Sequence, residues 1–225
     1  MGNCFLCCNS VTSVEEEVPL QTLRTGDVLL VRDAQFAKAG ACLAQNLLCW
    51  GVNHVGMAVI PEEFSLTSNL RTARPDLEPG RVYMLHALLT GVRFWEMEQY
   101  LERLSRRRSY DWTHGMVLAR QIEVKGAVEV KLREQLVAAV DKVYSELADR
   151  PYERHWTSML SAYCDMCEGC CHCCESTGDL SGVFCSELVA LVLGQAGIIG
   201  SNRPADEFTP MDFLNSNGKK IEKTE

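Results

Sequence analysis

No apolar run in this sequence reaches the ~20 residues that a membrane-spanning helix needs. Its most hydrophobic region, Ala37 to Ile60, is broken by Gln45, Asn46, Asn53 and His54. An excess of positive charge is also lacking: 22 Lys and Arg stand against 30 Asp and Glu, for a formal net charge of −8. Phosphate binding needs a concentrated basic face, so nucleic acid is not expected as a partner. Arg103, Arg106, Arg107 and Arg108 form the one basic cluster. It reads as a solvated helix face, with anionic lipid headgroups as the alternative. No internal repeat is found, and no secretory signal is expected, because Met1 to Cys8 is too short and too rich in cysteine for one.

What is present is an ordinary composition for a folded domain, 47% hydrophobic and 23% charged over 225 residues, enough for one sizeable core. The twelve cysteines are concentrated at the N-terminus and in one loop. A disulfide framework would spread them through the fold, so a reducing compartment is expected.

The start, Met1-Gly2-Asn3-Cys4-Phe5-Leu6-Cys7-Cys8, reads as a dual-acylation site, with Gly2 for myristate and Cys4, Cys7 and Cys8 for palmitate. Leu6 departs from the usual Ser or Thr at the sixth position. One acyl chain binds membranes only marginally, so two or more would be the physical minimum for stable anchoring. The expectation is a lipid anchor at the cytoplasmic face of a membrane, with no transmembrane helix. Residues 1–20 are then an acylated tail and linker, 21–215 the domain, and 216–225 a polar tail.

Within the domain, Val28 to Val31 reads as a buried strand after the Gly26-Asp27 turn, and residues 34 to 50 as helical. A second strand opens on His54 and ends at Pro61. Residues 62 to 80 read as a long surface loop. Arg81 to Ala87 is a third strand, Val92 to Glu96 a fourth running into the helix of the arginines, and Met116 to Gln121 a fifth. Lys131 to Ala148 is a periodic helix bearing Leu132, Leu136, Val140, Val143 and Leu147. Strands and helices around one core indicate an α+β domain.

The late stretch Phe184-Cys185-Ser186-Glu187-Leu188-Val189 to Gly197 places a cysteine at the start of an amphipathic helix. The helix dipole there stabilises a thiolate and lowers the thiol pKa from about 8.5. A thiol nucleophile needs a base, and histidine suits that task near neutral pH. His54 at a strand edge is the best placed, and His86 on the next strand could orient it. The bland alternatives are a space-filling cysteine and structural histidines.

The order of the Gly26-Asp27-Val28-Leu29 strand, the Asn53-His54-Val55-Gly56 strand, a polar residue on the following strand, and Phe184-Cys185-Ser186-Glu187-Leu188-Val189 resembles the circularly permuted papain-like hydrolases. These belong to the NlpC-type cysteine peptidase superfamily, and the similarity is greatest to the YiiX-like branch. Pro151-Tyr152 and Phe208-Thr209-Pro210-Met211-Asp212 extend the resemblance, which covers Leu23 to Phe213. It implies an antiparallel sheet or barrel packed against helices, with the nucleophile at the N-terminus of a late helix. Cys185 would be the nucleophile, His54 the general base and His86 the third residue. YiiX-like members carry Glu at that third place, and the related lecithin retinol acyltransferase branch a second histidine. The implied oxyanion hole includes the Cys185 backbone N–H.

The expected function is therefore a membrane-tethered thiol hydrolase or acyltransferase acting on an acyl, peptide or lipid substrate, with no cofactor. Two rivals stand beside it: a lipid-anchored adaptor without turnover, and a metal-binding or redox protein. The last would use Cys164, Cys167, Cys170, Cys171, His172, Cys173 and Cys174, whose two-apart spacing suits zinc. A structural zinc site usually draws its second pair of ligands from distant sequence, which is absent here. Palmitoylation of that loop is the alternative.

Overall fold

A computed structural model describes residues 20–32, 52, 54–88, 90–106, 116–120, 122, 127–148, 150, 184–200, 203–210 and 212–213. The expected helix at 34–50, the acylation residues Gly2, Cys4, Cys7 and Cys8, Pro151-Tyr152 and the Cys164 to Cys174 loop lie outside the described residues. Among the described residues no helix is long and apolar enough to cross a membrane.

Five strands form one antiparallel sheet: β1 (Val28–Arg32), β2 (His54–Val59), β3 (Tyr83–Leu88), β4 (Gly91–Glu96) and β5 (Met116–Arg120), in the order β4-β3-β2-β1-β5. Four helices accompany it: α1 (Asn69–Ala73), α2 (Met97–Arg106), α3 (Ala127–Leu147) and α4 (Cys185–Gln195). The architecture is α+β. Both faces of the sheet are covered, which is why β1, β2 and β3 read as nearly continuous apolar runs rather than as an alternation.

Val28, Leu30, Val55, Met57, Leu85 and Ala87 face a core completed by Leu136 and Val140 of α3 and by Leu188, Val189 and Val192 of α4. Leu29, Val31, Ala58 and Met84 face a second, smaller cluster with Met97 and Tyr100 of α2. The two sets alternate along each strand, as the two-residue side-chain period requires.

Asp27 ties the turn before β1 to α3. Its fully buried carboxylate accepts the Arg24 N–H at 2.8 Å, the Ile122 N–H at 3.2 Å and Arg133 Nη1 at 2.8 Å, while Arg133 Nη2 donates to the Ile122 carbonyl at 2.7 Å. Burial raises the Asp27 pKa, opposed by the Arg133 guanidinium and the two amides. Gly26 precedes it with φ +97°, and a Cβ there would meet Leu136 side-chain carbons at 2.9 Å. The turn and α3 thus approach as closely as a glycine permits.

Two expectations change. The stretch from 62 to 80 is not a plain surface loop, because Phe64, Leu70 and Leu77 are buried and α1 sits within it. Ser68 Oγ accepts the Arg71 N–H at 3.2 Å, and Asp141 of α3 accepts the Leu70 N–H at 2.7 Å. These acceptors satisfy first-turn amides that a helix this short cannot pair itself. The long helix α3 also begins a turn earlier than its periodicity indicates, since Val128 and Val130 are exposed and lie off the apolar stripe.

Removing one partner of the Asp27–Arg133 pair strands the other charge, so Arg133→Met is expected to cost about 3 kcal/mol in denaturant unfolding. Asp27→Asn should cost less, because the guanidinium that it leaves behind is partly exposed and keeps the Ile122 carbonyl as an acceptor. Equal losses would contradict this account of the pair.

Candidate active site

The strand pairing brings two of the three expected residues together. His54 opens β2 opposite Val31, and His86 sits inside β3 opposite Arg93. His54 Nε2 and His86 Nδ1 are 2.8 Å apart, with the rings edge to face at 5.1 Å. Gly56 lies between them on the same face of β2, where a Cβ would stand 2.7 Å from Met84 Cγ and 2.8 Å from the Leu85 carbonyl oxygen. Any larger residue there would push β2 and β3 apart.

The pair lies in a dry layer. His54 and His86 are both buried, and the His86 ring meets the Trp95 indole edge to face at 4.3 Å. Trp95 packs on Tyr100 at 4.8 Å, and the Arg103 guanidinium lies 4.6 Å above Trp95 and 5.0 Å above Tyr100. Sequence reasoning assigned Arg103 to a solvated face and missed this stack; the side chains of Arg106, Arg107 and Arg108 lie outside the described ones. The signal was available in the two-residue period, which puts Trp95 on the face of β4 that continues the His86 face of β3.

Burial removes the water that would solvate an imidazolium. Desolvation therefore pushes the His54 pKa down from 6.5 to about 3, and pushes His86 well below its ordinary value, with the charges of His54 and Arg103 adding to the effect. At neutral pH both rings are uncharged, so a single hydrogen lies between His54 Nε2 and His86 Nδ1. Its ownership fixes both tautomers. If His54 Nε2 carries it, then His54 Nδ1 is a lone pair able to take a proton, and His86 carries its own hydrogen on Nε2.

Cys185 is the first residue of α4. Phe184 before it is extended (φ −87°, ψ 162°), and the Glu187 carboxylate accepts the Phe184 N–H at 3.0 Å. The first helical bond runs from the Leu188 N–H to the Phe184 carbonyl at 3.0 Å. Amides of a first helical turn point toward the helix start, where developing negative charge is stabilised. Beyond α4, Gly197 turns the chain at φ +70°, a conformation that glycine adopts without strain. In the Thr-Pro element, the Thr209 N–H and Oγ1 donate to Asp212 at 2.7 and 2.8 Å, and Arg203 pairs with the same carboxylate at 2.9 Å. These bonds brace the turn at Thr209 to Asp212.

Cys185 is buried and belongs to the core cluster that α4 shares with β2 and β3, and His54 and His86 occupy the strand positions that alternate with the ones facing that cluster, beside Ala58, Met84 and Trp95. His54 and Cys185 are nevertheless each the first residue of its element. A hydrogen-bonded imidazole pair can relay and orient a proton; a thiol at a helix start can attack a carbonyl. Comparisons with family models, with curated proteins and with solved structures found no match to this chain.

Because the folded pKa values of the pair lie below the unfolded value of 6.5, the neutral pair contributes stability that is complete above pH 6.5 and lost as pH falls toward about 3. Thermal melting of the full chain should fall across that window. Replacing both residues, His54→Asn with His86→Asn, should flatten the fall; an unchanged slope would contradict burial of the neutral pair.

Proposed function

We propose that the chain is a thiol hydrolase or acyltransferase of the permuted papain-like kind, acting on an amide, ester or thioester. The observation that carries the reading is the His54–His86 hydrogen bond across β2 and β3, the same two strands on which the Cys185 helix packs. In this mechanism His54 Nδ1 takes the thiol proton as Cys185 Sγ bonds to the acyl carbon. The carbonyl electrons move to oxygen, facing the amides at the start of α4. Collapse expels the leaving group, which receives the proton from His54. Water, or an acceptor hydroxyl or amine, then repeats the sequence on the acyl-enzyme and restores the thiol.

His86 is a positioning residue in this scheme. Accepting the His54 Nε2–H at Nδ1, it holds the tautomer that leaves Nδ1 of His54 basic. The reading requires the Cys185 thiol to reach that atom at the start of β2, where His54 lies. Acylation at Gly2 and at Cys4, Cys7 and Cys8 would hold the enzyme on the cytoplasmic face of a membrane, where lipid-linked acyl groups are abundant.

One observation favours a second reading, a lipid-anchored adaptor without turnover. The third residue is a histidine, and the nearby Arg103 cation disfavours the imidazolium that catalysis must form.

The two readings separate on thiol reactivity. A thiol-directed acylating probe is expected to label Cys185 faster than the other cysteines, and His54→Ala should slow that labelling by about 100-fold. Labelling at one rate in both proteins would establish the adaptor. For the anchor, Gly2→Ala should move the protein from the membrane to the soluble fraction, and unchanged partitioning would count against myristate.

A further inference from the structure

Among the described residues, three buried nitrogens in the layer behind the imidazole pair make no hydrogen bond: His86 Nε2, Arg103 Nε and Arg103 Nη2. His86 and Arg103 pack against the same Trp95 indole. Leaving such groups unpaired is expensive, and more so for a charged guanidinium. Stacking on Trp95 and Tyr100 offsets part of that expense through the ring faces, but it uses none of the N–H groups in the guanidinium plane.

The chemistry of the three atoms follows from the tautomer. An arginine has no acceptor, so Nε and Nη2 are donors side by side, on the edge that fits an oxyanion in bidentate fashion. If His54 Nε2 donates to His86 Nδ1, as the proposed catalytic reading requires, His86 Nε2 also carries hydrogen. All three are then donors. A water could accept from no more than two of them, whereas an anion set between them could accept from all three. The neighbouring carboxylate of Glu96 is held by Arg81 and Gln99. A cavity of about 250 Å³, lined by Phe94, Trp95, Glu96, Gln99, Tyr100 and Arg103, opens beside the layer.

We infer that Arg103 Nε and Nη2, with His86 Nε2, form a binding site for a small anion, a halide or a carboxylate, entered from the cavity beside Trp95. Its tautomer argument rests on the catalytic reading, and the site would serve it. A negative charge against His86 supplies what a glutamate at the third position would supply: it favours the positive charge that reaches the imidazole pair when Cys185 loses its proton. The ligand then acts as an exchangeable acidic member of the relay, and occupancy sets the activity of the thiol.

The test uses the full chain carrying Cys185→Ser, so that binding is read without turnover, with histidine labelled by nitrogen-15. At constant ionic strength, sodium chloride, sodium acetate or sodium phosphate is titrated while the His86 imidazole nitrogens are followed by NMR. The expected result is a hydrogen on Nε2 of His86 and a saturable shift of that signal. Saturation by chloride identifies an inorganic ion as the ligand, and saturation by acetate alone identifies a carboxylate. Arg103→Met should abolish the shift, and Arg103→Lys, which keeps the charge but not the fork, should weaken binding at least about tenfold. A hydrogen found on Nδ1 of His86, a signal indifferent to all three anions, or a shift that survives in Arg103→Lys at full affinity would each overturn the site. Saturable binding in a protein whose Cys185 does not label would keep the site and remove the catalytic reading.

Discussion

The hydrogen bond between His54 and His86 depends on a single register. Met57 opposite Leu85 and Val59 opposite Tyr83 set the two imidazoles on one face, and a slip of one residue would send one of them to the other. Gly56 is part of the same constraint, since only a residue without a Cβ lets Met84 lie against β2 at this point. The turn at Gly26 and Asp27, fastened to α3 by Arg133, fixes where β1 begins and so where β2 pairs with it. Core packing, strand register and the imidazole contact are therefore one arrangement seen at three scales.

Burial then decides the charge state. Two imidazoles away from water and beside a guanidinium do not take up a second ring proton near neutral pH, so the resting site contains neutral rings rather than an ion pair. In the proposed mechanism such a pair would move one proton at a time through fixed tautomers, and a negative charge at its far end would favour the charged state. The stack of Trp95, Tyr100 and Arg103 gives that far end its shape: flat apolar surfaces around a set of hydrogen-bond donors.

Much of this was legible in the sequence. The strands showed as short apolar runs closed by Gly26, Pro61 and Gly91, and His54 and His86 could be expected to touch because successive strands in a sheet usually pair. The start of α4 showed in the apolar spacing from Leu188 to Ala196. The helix α1 did not show, because five residues are too few for a period and its first-turn amides are satisfied by Asp141, more than seventy positions away. Arg103 was misread since a run of arginines looks solvated, while a planar guanidinium stacks on aromatic rings that only the fold brings to it. The face on which Cys185 lies was beyond any local pattern, because it depends on which side of the sheet α4 packs.

The proposed chemistry turns on where α4 sets the Cys185 sulfur. The account holds that the thiol and the imidazole meet at the end of β2, where both elements begin. The distance from Cys185 Sγ to His54 Nδ1 in an experimental structure of the full chain tests it most directly. Hydrogen-bond reach, or slightly more without a ligand, is the predicted result. A sulfur well beyond that reach, with β2 standing between it and the imidazole, would contradict the account.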